Sequence, residues 1–210
     1  MAYVLTGKAS HSLLASYNFE RQPIDEFTVN QAYNRFQNRI AFRKPPATEA
    51  PDASIELGYR YPRGGAFVSE DTDIVTEVLY DDPALPNAAP GSRFPHSWIE
   101  DTTYPGKTIS TIDLVKKNFL LITIDHDSPW IAAASKSLVK VDAYALSAVS
   151  SPFKDPRSDV EKKCRLKRGE AILVRPDGFI AWRSARLDNG HVAKLREGLE
   201  AILKWRRNEM

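Results

Sequence analysis

An α/β fold, a mixed sheet flanked by helices behind an N-terminal helical segment, is what this sequence predicts. Three observations carry that expectation: apolar runs of strand length in the second half, Pro/Gly turn signatures between them, and helical periodicity at both ends of the chain. Leu13, Leu14 and Tyr17 sit at helical spacing, and Pro23 predicts a break after them. Asp25 then reads as the cap of a second helix in which Val29, Tyr33, Phe36 and Ile40 recur at intervals of three and four. Such a stripe must be buried, either against the rest of the chain or against another chain. Residues 1–43 are helical on this reading. The polar, proline-rich residues 44–56 are an extended linker, and 57–205 form the α/β domain.

Within that domain, Phe119 to Ile124 reads as a central strand, and Pro129 opens a helix carrying Trp130 through Leu138. Val139 to Leu146 is a second strand. Ala171 to Val174 and Phe179 to Trp182 flank the turn Arg175-Pro176-Asp177-Gly178 and make a hairpin. A last amphipathic helix places Val192, Leu195, Leu199 and Ile202 on one face. The order strand, helix, strand, hairpin, helix resembles a thioredoxin fold. There is no C-x-x-C, so dithiol exchange is excluded. Residues 69–108 hold many prolines and little periodicity, which predicts a long loop acting as a packing belt or a binding segment.

Composition narrows the function. With 29 basic and 27 acidic residues the net charge is only +2, which gives no global attraction to nucleic acid. The basic run Lys162 to Arg168 reads as a solvated loop. No apolar stretch approaches membrane-spanning length, and a single cysteine, Cys164, permits no internal disulfide; a reducing, cytoplasmic setting is the expectation. Cationic neighbours would lower the pKa of that thiol, but a lone cysteine in a basic loop reads as incidental.

Several words in the sequence carry a resemblance. Leu13-Leu14-Ala15-Ser16-Tyr17 with Glu20-Arg21-Gln22-Pro23 is one. Gly58-Tyr59-Arg60-Tyr61, Pro90-Gly91-Ser92-Arg93-Phe94-Pro95-His96-Ser97-Trp98, Ser110-Thr111-Ile112-Asp113-Leu114, and Leu173-Val174-Arg175-Pro176-Asp177-Gly178-Phe179 through Arg183 follow in order. Together they resemble the C-terminal part of FAD-dependent aromatic hydroxylases of the phenol-hydroxylase and dichlorophenol-monooxygenase type. The resemblance implies a thioredoxin-like tail domain that packs on a catalytic body and often joins subunits, and that in a full-length member the stripe of Val29, Tyr33, Phe36 and Ile40 would cover flavin-domain surface. It also implies that the flavin contacts of the family would lie before Met1. The ten glycines never fall as G-x-G-x-x-G, and Gly64-Gly65 reads as a turn entering a strand. The expectation is therefore a chain that takes no cofactor, neither holding FAD nor activating oxygen.

Candidate site residues remain. His96, between Arg93 and Trp98, is a candidate general base, or else a backbone hydrogen-bonder in the belt. His126, within Asp125-His126-Asp127 after a strand end, is either catalytic or part of a polar turn capping the helix at Pro129. Asp113 is a third catalytic candidate, although spacing alone establishes no triad. Tyr61, Arg93, Trp98 and Trp182 are candidates for stacking an aromatic substrate, or are core. Arg175 and Asp177 form an ion-pair site or a structural turn. No metal site is expected, since neighbours on an extended chain point apart.

Two function classes follow. One is a non-catalytic module with a dimerisation or accessory role, its partner a second copy or a flavoprotein. The other is a flavin-independent isomerase, cyclase or lyase acting on an aromatic or polyketide-like molecule by acid–base catalysis.

Overall fold

A computed structural model describes residues 1–41, 44–61, 65–68, 79–147, 149–185 and 189–204. Arg43 and Trp205 at the expected domain bounds, Gly64, and residues 69–78 of the belt lie outside the described residues.

The chain opens with α1 (Ala2–Leu5) and a 3-10 turn (His11–Ala15) capped by the Ser10 hydroxyl. Pro23 does not then break the helix: α2 (Ser16–Arg39) runs 24 residues through it. The proline removes one backbone donor, but Glu20 and Ile24 on either side of it are both buried on one face, and packing outweighs the local preference. Asp25 caps nothing. It faces solvent and pairs with Arg21 one turn earlier at 3.6 Å.

The orientation of α2 is inverted relative to an ordinary surface helix. Apart from Ile24, its inward face is polar: Ser16 and Glu20 are buried, and one turn after another Gln31, Asn34, Arg35 and Asn38 bind the returning chain. Ala47 exchanges two hydrogen bonds with the Asn38 amide at 2.7 and 2.8 Å, and the Gln31 carbonyl accepts from the Ala50 amide at 2.7 Å. The segment expected as a linker is thus laid along the helix, and it ends in α3 (Asp52–Glu56). The outward face is apolar. Val29, Tyr33, Phe36 and Ile40 are 66%, 57%, 52% and 64% exposed, so the described residues of this chain do not cover the stripe.

The expected belt contains structure. β1 (Trp98–Asp101) pairs antiparallel with β2 (Thr108–Ser110), and a 3-10 turn (Thr111–Leu114) leads into β3 (Phe119–Thr123). Next come α4 (Pro129–Ser135), β4 (Val141–Ala145) and β5 (Phe153–Lys154), which completes the small sheet β2-β1-β5. The basic run expected as a solvated loop begins as the end of α5 (Asp159–Cys164), whose Val160 and Cys164 point into the core. β6 (Ala171–Val174), β7 (Ile180–Ser184) and α6 (His191–Ile202) close the chain.

The larger sheet has the order β4-β3-β6-β7, with β3 and β4 parallel and the other pairs antiparallel. That is the mixed order of a thioredoxin-like sheet. β3 and β6 are buried throughout because both faces are covered. On one face Phe119, Leu121, Leu173 and Trp182 pack against Trp130 of α4 and Leu195, Leu199 and Ile202 of α6. On the other, Leu120, Ile122, Ile172 and Ile180 meet Val160, Cys164, Phe94 and Ile99. Gly198 lets α6 approach closely: a Cβ there would sit 3.4 Å from the Trp182 indole.

Trp182 has no exposed surface and meets Trp130 edge-on at 5.4 Å between centroids. Trp182→Ala therefore lowers stability by about 3–5 kcal/mol in urea unfolding.

Candidate functional site

The residues that stood out in the sequence converge where α2 meets the β6–β7 hairpin. Gly178, at φ +85°, turns that hairpin, and the Arg175 amide donates to the Phe179 carbonyl at 2.7 Å. The turn thereby aims the Arg175 side chain back at α2. Its guanidinium meets the Glu20 carboxylate in a two-point contact, Nη1 to Oε1 at 2.5 Å and Nη2 to Oε2 at 3.0 Å. Glu20 Oε1 also accepts from the Ala66 amide at 2.6 Å, and Asp177 holds the other side of the guanidinium through Nε and Nη2. Burial would lower the Arg175 pKa, but the hydrogen bonds to Glu20 and Asp177 reverse this and hold the group above its ordinary value. The Cβ of any residue replacing Gly65 would press on the Glu20 carboxylate, which accounts for one glycine of the pair noted in the sequence.

Beside this pair lies an aromatic wall. Tyr61 is buried and stacks on Phe179 at 4.2 Å, and Tyr59 leans on both rings. Arg93 donates to the Tyr59 hydroxyl at 2.8 Å while lying over the Tyr59 and Phe179 rings at 4.6 and 5.2 Å. Arg21 reaches the same hydroxyl at 3.5 Å from α2. Burial raises the Tyr61 pKa, only partly offset by Arg21. Tyr61 and Arg93, expected to grip a substrate, here grip each other's neighbours.

His96, Ser110 and Asp113 do come together. His96 Nδ1 lies 2.7 Å from the Ser110 hydroxyl, and its ring meets Trp98 edge-on at 4.9 Å. Asp113, however, accepts from the Ser110 amide at 2.9 Å and completes a capping box on the 3-10 turn. In this arrangement it caps backbone. A cavity of about 320 Å³ adjoins His96, walled by Arg93, Phe94, Pro95, Asp81 and Ile112. Asp81 was not foreseen. Burial raises its pKa despite Arg60 at 3.6 Å, and its Oδ2 has no hydrogen-bond partner.

The remaining candidates lie apart. His126 and Asp127 line an open surface groove with Tyr144 and Ser151. Asp125 instead anchors the loop, accepting from the Gly169 amide at 2.8 Å, and Ser128 precedes α4 without a side-chain cap. The capping role expected of this triplet is therefore not taken. Trp98 is half exposed on the small sheet, whereas Trp182 is wholly enclosed and presents no surface to a ligand. At Cys164 the cationic neighbours do not prevail: burial pushes its thiol up to about 12, and Arg183 and Lys163 do not offset this. No cluster of potential metal ligands occurs among the described residues.

Comparison with known proteins adds the family context. The family described as aromatic-ring hydroxylase, C-terminal, matches residues 87–204. The 4-methyl-5-nitrocatechol 5-monooxygenase of a Burkholderia species is 33% identical over 97% of this chain and 38% of its own length. Aklavinone 12-hydroxylase of Streptomyces purpurascens is 32% identical over 97% of the chain and 37% of its own. A solved aklavinone-11 hydroxylase in complex with FAD and aklavinone superposes with a TM-score of 0.85 at 29% identity, over 97% of this chain and 37% of that one. The chain thus spans less than two fifths of these relatives.

FAD is the group these relatives imply, and the described residues do not fit it. A pyrophosphate cradle needs a glycine-rich turn from a strand into a helix. The turns before α4 and α5 contain no glycine, and Gly190 before α6 stands alone, with His191 packed on Trp130 at 4.6 Å.

The cluster's dominant contact can be tested directly. Glu20 and Arg175 are both largely buried, so Glu20→Gln or Arg175→Met costs about 3–5 kcal/mol by stranding the partner. The double variant is less destabilised than the sum of the two singles, as urea unfolding in a double-mutant cycle would read.

Proposed function

Since the chain belongs to the aromatic-ring hydroxylase family as its C-terminal part, we propose that it acts as a docking module of that family, in aromatic or polyketide metabolism. On this reading it neither binds FAD nor hydroxylates, and its role is to join subunits or to complete a partner. The observation that carries the reading is the outward apolar face of α2, which no described residue of this chain covers. Two further features support it. The family's sequence words are spent on mutual contacts between α2, the β6–β7 hairpin and the aromatic wall, and the one cysteine is buried with its thiol pKa pushed up. No described helix is long and apolar enough to cross a membrane.

A second reading has one observation in its favour, the cavity beside His96. There His96 would serve as general base with Ser110 orienting its ring, and Arg93 would meet an anionic oxygen of an aromatic or polyketide-like substrate, giving isomerisation, cyclisation or elimination.

The purified protein is expected to be colourless, to gain no flavin spectrum on adding FAD, and to leave NADPH unoxidised with phenols. A yellow, NADPH-oxidising protein would overturn the docking-module reading. Conversion of a polyketide-like substrate by the wild type that is lost in His96→Ala would favour the second reading instead.

A further inference from the structure

Two of the sequence words meet at the cavity beside His96. Pro90 to Trp98 supplies Arg93 and His96, and Gly58-Tyr59-Arg60-Tyr61 places Asp81 on another part of the wall. The Asp81 amide donates to the Gly58 carbonyl at 2.8 Å, and a Cβ at position 58 would sit 2.2 Å from the Asp81 carbonyl oxygen, so only glycine lets the two segments come this close. Arg60, itself buried, holds Oδ1 of the Asp81 carboxylate at 3.6 Å, and the Asn87 side-chain amide donates to the same oxygen at 3.3 Å. Asp82, next in the chain, accepts from the Ala84 amide.

Asp81 is poorly served as an anion. Both contacts on Oδ1 are long, Oδ2 is shielded without a partner, and burial raises the pKa against the pull of Arg60 and Asn87. The neutral acid is favoured, and its hydroxyl finds no acceptor among the described residues. The side chain is 22% exposed and lines the cavity, so an oxygen of a bound molecule is the acceptor within its reach. His96 is set up for the opposite task. Its Nδ1 is engaged with the Ser110 hydroxyl, which leaves Nε2 to take a proton. A group that gives a proton, one that takes a proton and the Arg93 cation thus face one cavity. Moving a proton from carbon to carbon needs only the base; a separate acid is needed where an oxygen leaves.

We propose that Asp81 is the general acid of this cavity, and that the substrate class is a cyclic β-hydroxyketone that loses water. The proposal rests on the catalytic reading of the cavity and narrows it from isomerisation, cyclisation or elimination to elimination. His96 Nε2 takes a proton from the carbon next to the carbonyl, and the electron pair of that C–H bond becomes the C=C bond. The C–O bond of the β-hydroxyl breaks, its electron pair leaving with the oxygen, which takes the Asp81 proton and departs as water. The carbonyl oxygen, negative while the enolate lasts, faces Arg93. The imidazolium then returns its proton to the Asp81 carboxylate through solvent, so no oxidant or reductant enters.

The test uses the whole chain with 3-hydroxycyclohexanone, small enough for a cavity of about 320 Å³. Loss of water gives 2-cyclohexenone, read by ultraviolet absorbance, whereas exchange of the α-protons in heavy water, read by NMR, needs only the base. The wild type accelerates both over buffer, and His96→Ala loses both. Asp81→Asn lowers water loss by about a hundredfold or more and exchange by much less. Its deficit shrinks with 3-acetoxycyclohexanone, whose acetate leaves without a proton. Asp81→Glu, which keeps the acid, holds part of the water loss, and circular dichroism melts verify that each variant is folded. A wild type that exchanges α-protons but loses no water, or an Asp81→Asn protein that loses both signals equally or neither, would overturn the assignment and leave the catalytic reading standing. A wild type inert in both signals overturns the two together.

Discussion

The contact between Glu20 and Arg175 is the constraint on which the arrangement depends. Two residues 155 positions apart are joined by charge-assisted hydrogen bonds in a nearly dry site, and they tie α2 directly to the β6–β7 hairpin. A buried carboxylate without its guanidinium is costly, so α2 is held in one register and one rotation about its axis. The Ala66 amide and Asp177 complete the satisfaction of the two charges, which is what makes a buried pair tolerable. Planarity matters here: a guanidinium can meet two carboxylates edge-on and still lie against Tyr61 and Phe179, which a lysine could not do.

Fixing the helix by its polar side dictates what its other side does. Once Glu20, Gln31, Asn34, Arg35 and Asn38 face inward, helical geometry sends Val29, Tyr33, Phe36 and Ile40 outward. The exposure is therefore imposed by the hydrogen bonds that carry residues 44–52 back along the helix. A helix exposed on its apolar side and buried on its polar side is stable as part of this chain, because the inward bonds are satisfied, yet it leaves a surface of the kind that seeks a partner.

The larger sheet was legible in the sequence because β3, β6 and β7 are nearly continuous apolar runs bounded by Pro and Gly turns, and both faces of the sheet are covered. The small sheet was not legible. β1, β2 and β5 are two to four residues long and mix exposed with buried positions, too little for periodicity to register. Pro23 misled for a different reason: the rule that proline ends helices is local, and here two buried neighbours override it. At the candidate site, chemistry was visible but geometry was not. His96 and Asp113 both proved to contact Ser110, but Asp113 through a cap on backbone, and Asp81 carried no sequence signal at all because its burial comes from residues distant in the chain. The lone Cys164 shows the same limit. Its basic neighbours in sequence would lower a thiol pKa, whereas the helix turns the sulfur inward and burial raises it.

The two faces of α2 also divide the labour of recognition. Hydrogen bonds and buried ion pairs are directional, so the inward face settles register within the chain without contributing much net free energy per contact. Apolar association is non-directional and scales with area, so the outward stripe supplies attraction while remaining indifferent to orientation.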